Sequence, residues 1–248
     1  MEKKLIETFI KKYHLSGLIE EVLWKNTNNL LSVNVMSSDK KLFTSVQSLK
    51  IEPFFTGVEI GVLDTTKLKR MLSPLSENIQ LSVDIDENDN TRVRQLIAND
   101  HNMTVTYVTA NKGVIDPSPN IKSLPPFTLE LNLTPEFIEI FSKSFSSLGD
   151  GDALFTLMLS KTQKIEMVLG YKENQSDRIA IQMDALPGKD TITNPISFNA
   201  KYLKEILAAN SVSEKSILRV SESGISSISF DNEDFKSQYY LIKVDVEN

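Results

Sequence analysis

Three stretches of this chain repeat one arrangement: VEIGVLDTTKLKRML, LELNLTPEFIEIF and ISFNAKYLKEIL. Each reads as a short strand, one or two polar capping residues and an amphipathic helix, and each is followed by about three further strand-like segments. The segment after Met1 is a fourth copy whose leading strand is weak or missing. Helices this rare among runs of strands define an α+β chain of antiparallel sheets.

The helices declare themselves by spacing. Residues 3–14 place Leu5, Ile6, Phe9 and Tyr13 on one face. Residues 65–76 do the same with Leu68, Met71, Leu72 and Leu75, and Pro74 ends or kinks that helix. Residues 135–148 open with Thr134 as N-cap and Pro135 in the first turn, then align Phe137, Phe141, Phe145 and Leu148. Residues 200–210 follow Asn199 as cap and carry Leu203, Ile206 and Leu207. The strand candidates are LIEEVLW, LLSVNVM, KLFTSVQ, VEIGVLD, IQLSVDI and MTVTYVT in the first half. FTLELNL, LFTLMLS, KIEMVLG, RIAIQMD, ILRVSES, ISSISFD and QYYLIKVDV fill the second.

Between the halves lies NKGVIDPSPNIKSLPP, residues 111–126, which holds four of the nine prolines and reads as an extended tether. The expected organisation is an N-terminal domain over 1–112, a connector over 113–126 and a C-terminal domain over 127–248. The domains are similar, each with two helices and antiparallel sheet. They repeat a pattern rather than residues.

Several function classes drop out. No window approaches the roughly 18 apolar residues of a membrane helix. MEKKLIETFIKKYHLSG lacks the small-residue cleavage site of a signal peptide, and the absence of cysteine removes thiolate chemistry and disulfides, so a cytoplasmic protein is expected. The two histidines, His14 and His101, read as solvated surface residues without positioned partners. No phosphate-binding glycine loop or nucleophile elbow occurs. DIDENDNT, residues 84–91, has Asp89 where a calcium loop needs glycine and Gln95 where it needs glutamate, so it reads as a polar hairpin connection. GDGD, residues 149–152, reads as a glycine C-cap and turn. No catalytic constellation, metal site or cofactor is expected.

The charge is unevenly placed. The chain has 27 basic and 33 acidic residues. The four helical segments with Glu2 hold ten of the basic residues and five of the acidic ones, leaving 17 against 28 elsewhere. Helix faces this positive on an acidic chain attract a phosphate backbone without reading base sequence.

SFNAKYLKEILAANS, ILRVSESGISSISFD, YYLIKVD and VIDPSPN…PPFTLELNLTPEFIEIF together resemble the DNA polymerase sliding clamp, or processivity factor, of T-even-type tailed bacteriophages, a PCNA-like fold. The resemblance covers nearly the whole chain. It departs in a longer N-terminal half, where ENDNTRVRQLIANDHN looks like an extra loop near residues 86–102. The resemblance implies a homotrimeric ring around double-stranded DNA, helices inside and sheets outside. It implies no cofactor for the clamp itself, a replicative DNA polymerase and a clamp loader as partners, and the cytoplasm of an infected bacterial host as location. It also allows late-transcription factors as partners. The alternative is a monomeric processivity subunit, similar to those of herpesviruses, that holds DNA without encircling it.

Residue roles follow from the helix faces for DNA, from the apolar residues of the connector for a partner pocket, and from the resemblance for the subunit contact. The DNA-facing side chains are expected to be Lys4, Lys11, Lys67, Lys69, Arg70, Lys143, Lys201 and Lys204. Subunits are expected to join through MTVTYVT of one chain and RIAIQMD of the next, with Val105, Tyr107, Ile179 and Ile181 at the contact. A polymerase peptide is expected to seat in a pocket under the connector, at Val114, Ile115, Leu124, Tyr240 and Ile242.

Overall fold

The computed structural model describes residues 1–52, 54–119, 121, 123–149, 154–162, 164–171, 177–185, 192–210 and 215–245. Two compact units divide the chain. The first comprises Met1–Ser38, Thr44–Pro119 and Asn232–Ser237; the second comprises Asp39–Phe43, Asn120–Asp231 and Gln238–Asn248.

The first unit contains α1 (Lys3–His14), β1 (Val22–Thr27), β2 (Leu30–Met36), most of β3 (Leu42–Ser48), β4 (Glu59–Val62), α2 (Thr65–Leu72), β5 (Gln80–Ile85), β6 (Val93–Asn99) and β7 (Thr104–Val108). Strands order as β4-β1-β2-β3 in one sheet and β5-β6-β7 in another. Helix α1 buries Ile6, Phe9, Ile10 and Tyr13, a stripe at helical spacing. Its core contact is aromatic: the Phe9 ring meets Tyr13 at 5.6 Å and Trp24 at 5.7 Å, both edge-on. The Trp24 indole N–H donates to the Tyr13 hydroxyl at 3.2 Å. The helix stops where Leu15, Ser16 and Gly17 turn left-handed, with φ of 47°, 57° and 98°, a conformation that cannot continue an α-helix. That detour delays the following strand. The stretch LIEE, expected at its start, lies before β1, which begins at Val22.

One segment expected as loop is a strand. Within ENDNTRVRQLIANDHN, residues Val93–Asn99 form β6, the central strand of its sheet, paired with β5 and β7. The acidic stretch before it is the β5–β6 hairpin connection, closed by Asp86 N–H on the Arg92 carbonyl at 2.9 Å.

The second unit contains β8 (Leu129–Asn132), α3 (Pro135–Leu148), β9 (Leu154–Leu159), β10 (Ile165–Leu169), β11 (Ile179–Met183), β12 (Ile196–Asn199), α4 (Ala200–Ala209), β13 (Lys215–Val220), β14 (Ile225–Asp231) and, from Gln238, β15 (Phe235–Ile242). Its strands order as β11-β10-β9-β12 and β15-β14-β13-β8. The Thr134 hydroxyl accepts the Phe137 amide and the Asn199 side chain accepts the Lys201 and Tyr202 amides, so each cap satisfies otherwise orphaned donors. Along the buried side of α3, Phe137 stacks on Phe141 and Phe145 lies tilted against Phe141, and Phe155 stacks on Phe198 at 5.3 Å. At the end of α4 the buried Asn210 amide donates to the Ile206 carbonyl at 2.8 Å and the Tyr239 hydroxyl at 2.9 Å. Gly149 has φ of 83° at the end of α3; the rest of GDGD lies outside the described residues.

Candidate nucleic-acid interface and assembly edges

Burying the apolar stripe of each helix on its sheet turns the opposite stripe to solvent, and that geometry sorts the basic residues. On α1, Lys4 and Lys11 are exposed. Lys12, one of the ten helical basic residues, is only 2% exposed, with its ammonium 5.5 Å from the Phe235 ring centre. Burial and the neighbouring Lys11 lower its pKa to about 8, against the opposing pull of Asp234. Lys3 donates to the carbonyls of Ser73 at 3.0 Å and Leu75 at 2.6 Å. There it supplies positive charge to the negative end of α2.

Helix α2 exposes Lys67, Lys69 and Arg70. Its start is held twice: Asp64 accepts the Lys67 amide at 2.6 Å, and Glu20 accepts the Thr66 amide at 2.8 Å and the Thr66 hydroxyl at 2.6 Å. The expectation that His14 is a solvated surface residue without a partner is corrected here. Its ring is buried, and Nε2 lies 3.1 Å from Glu20 Oε1 and 3.0 Å from Thr66 Oγ1. Burial lowers the His14 pKa even though Glu20 opposes the shift. Burial raises the Glu20 pKa, but the bonds from Thr66 and His14 outweigh it, so the carboxylate is net stabilised. His101 is exposed, as expected.

In the second unit Lys143 is exposed and pairs with Glu139 at 2.6 Å. Lys201 is exposed, whereas Lys204 is half-buried with its ammonium 4.8 Å over the Phe145 ring.

Strand β7 ends one sheet and β11 ends another. Their side chains alternate, as a pleat requires. Val105, Tyr107 and Ile181, expected at the subunit contact, are buried within their own unit. The Tyr107 hydroxyl reaches the Asp64 carbonyl at 3.3 Å. Ile179 is half-buried. The outward residues are Thr104, Thr106 and Val108 on β7 and Ala180 and Gln182 on β11, with Val108 73% exposed. Period-two reading could have found Val108, since it shares parity with Thr104 and Thr106 rather than with Val105.

After β7 the chain crosses Gly61, where the Ala110 amide donates to the Gly61 carbonyl at 2.9 Å and no space exists for a Cβ. Ile115 then tucks against Gly61 and is 5% exposed, whereas Val114 beside it is 64% exposed. Ile115 is therefore first a packing residue, and it edges a groove of about 430 Å³ that includes Leu18, Ile19, Met36 and Asp116. Leu124 is exposed. Tyr240 is half-buried with its ring 5.9 Å from that of Phe43, and Ile242 is half-buried. Among the described residues no helix is long and apolar enough to cross a membrane, and no group of three potential metal ligands converges.

No family model and no curated protein sequence matches this chain. Solved structures do. The proliferating cellular nuclear antigen (PCNA) of Entamoeba histolytica superposes with a TM-score of 0.72 at 18% identity, covering 98% of this chain and 96% of that one. PCNA of A. fulgidus, solved with the C-terminal region of FEN-1 bound, gives 0.75 at 13% identity over 100% and 98%. A chain of the PCNA2–PCNA3 complex of Sulfolobus tokodaii gives 0.68 at 12% identity over 98% and 97%. The chain has the PCNA-like clamp fold.

Proposed function

We propose that this protein is a DNA sliding clamp of a T-even-type tailed bacteriophage, acting in the cytoplasm of the infected bacterial host. It encircles duplex DNA as a homotrimer and tethers the replicative polymerase, raising its effective concentration at the primer end. It performs no chemistry; a separate loader opens and closes it, and late-transcription factors are further candidate partners. The observation that carries this reading is a PCNA-like fold whose helices turn Lys4, Lys11, Lys67, Lys69, Arg70, Lys143 and Lys201 to solvent on an otherwise acidic chain. Long flexible lysines suit contacts that must let the duplex slide, because they address phosphates rather than base edges.

The fold also supports head-to-tail closure. Strands β7 and β11 each stand at the end of a sheet among the described residues, paired on one side only, and such edges invite pairing with another chain. The polymerase tail anchors at the connector and the last strand, at Val114, Ile115, Leu124, Tyr240 and Ile242; Val114 and Leu124 offer it exposed apolar side chains. Sedimentation tests the assembly directly. A species near three times 27.9 kDa is expected, and a species of that single mass would support the monomeric DNA-holding alternative instead.

A further inference from the structure

The helix pairs of the two units are not equivalent in charge. Helices α1 and α2 carry seven basic residues and one acidic one; α3 and α4 carry three of each. Side-chain placement widens the difference. In the first unit the lone acid, Glu7, lies 3.7 Å from Lys3, whose ammonium already serves the end of α2. Lys4, Lys11, Lys67, Lys69 and Arg70 stay exposed, and none of the five is ion-paired among the described residues. In the second unit Lys143 is held by Glu139, Lys204 lies over Phe145, and Glu136 adds an exposed negative charge to the first turn of α3. Of the basic residues of α3 and α4, only Lys201 is both exposed and outside an ion pair among the described residues.

Resting on the clamp reading above, we infer that phosphate contact is concentrated on α1 and α2 of the first unit, while α3 and α4 are a near-neutral face past which the duplex slides. A lysine already paired to a carboxylate gains little by exchanging it for a phosphate, because its charge is compensated before DNA arrives. An unpaired lysine carries condensed phosphate counterions into solution, about 0.9 in the salt slope per contact. A trimer built this way presents three gripping sectors rather than six equal ones.

The test is titration of the full-length trimer with a fluorescent duplex of mixed sequence from about 50 to 200 mM salt, a range over which phosphate contacts dominate affinity. Two variants match in charge removed: Lys67→Gln with Arg70→Gln, and Lys143→Gln with Lys201→Gln. The first is expected to reduce the salt slope by about one per side chain. The second is expected to reduce the slope by at most about one in total, from Lys201, because Lys143 is already paired with Glu139. Glu136→Gln with Glu139→Gln is expected to tighten binding by freeing Lys143. All six sites are exposed, and thermal melts confirm that each variant folds. Equal loss of slope in the two lysine variants would overturn the inference and leave the clamp reading intact. Absence of any salt-dependent duplex binding by the parent would overturn both.

Discussion

In the first unit a titratable polar network joins the two helices beside their aromatic packing; in the second, phenylalanine rings dominate the packing of the helices. In the first, Tyr13 and Trp24 share a buried hydrogen bond, and His14, Glu20 and Thr66 lock the end of α1 to the start of α2. In the second, Phe137, Phe141 and Phe145 line α3, and Phe155 stacks on Phe198. The same helix-on-sheet layout is thus reached by two energetic routes. Apolar burial is insensitive to pH and is lost only by removing volume. A buried polar network is as strong as its last satisfied partner, and it titrates.

The largest expected effect therefore lies in the second unit. Phe141→Ala removes a fully buried ring and should cost about 3–5 kcal/mol, measured by denaturant unfolding at constant pH. Unfolding free energies within error of the parent would break the comparison. Next comes Glu20→Ala, which strips the acceptor from the Thr66 amide and hydroxyl and from His14. Leaving those donors unsatisfied should cost about 1–3 kcal/mol. The loss should appear first as faster hydrogen exchange at the start of α2.

The pH dependence should separate the units further. His14 has a folded-state pKa below its ordinary value, so the unfolded chain binds the extra proton more readily. Stability from this site is present above the ordinary histidine pKa of about 6.5 and falls as pH drops through that value. Glu20 shifts downward too, so its contribution is present above about 4.3 and is lost as pH falls further. Thermal melts between pH 8 and 5 should show the first loss, and His14→Gln should flatten it. A parent melting temperature that rises on acidification would contradict the assignment. A smaller effect is expected at the sheet edge: Val108→Asp, on a side chain that packs against little of its own unit, should leave the melting temperature nearly unchanged while lowering trimer mass at dilution.

The helices were legible because period and caps agree, as at Thr134 and Asn199. The strands Leu30–Met36 and Ile225–Asp231 fall on their sequence patterns residue for residue. Strand β6 was hidden by a bulge: Asp84 faces Gln95 but Ile85 faces Val93, leaving Arg94 extra. The bulge breaks the parity, so Val93 and Leu96 are both buried although three residues apart. The Asp84–Arg94 ion pair at 3.0 Å then made a strand look like loop. The basic residues of the candidate interface were legible as a set, but their individual fates were not. Lys12 turns inward over Phe235, and Lys204 lies on Phe145, because rings distant in sequence arrive beneath them. His14 illustrates the same limit: Thr66 is 52 positions away, and local sequence contains no sign of it.

The central claim is topological, so topology tests it most directly. The trimer, placed with its loader on covalently closed circular duplex, should remain associated through gel filtration at a salt concentration that suppresses surface contacts, and should be lost once the circle is cut to give free ends. Equal retention on the circular and linear forms would mean that DNA is held by a surface patch, and it would contradict the encircling clamp.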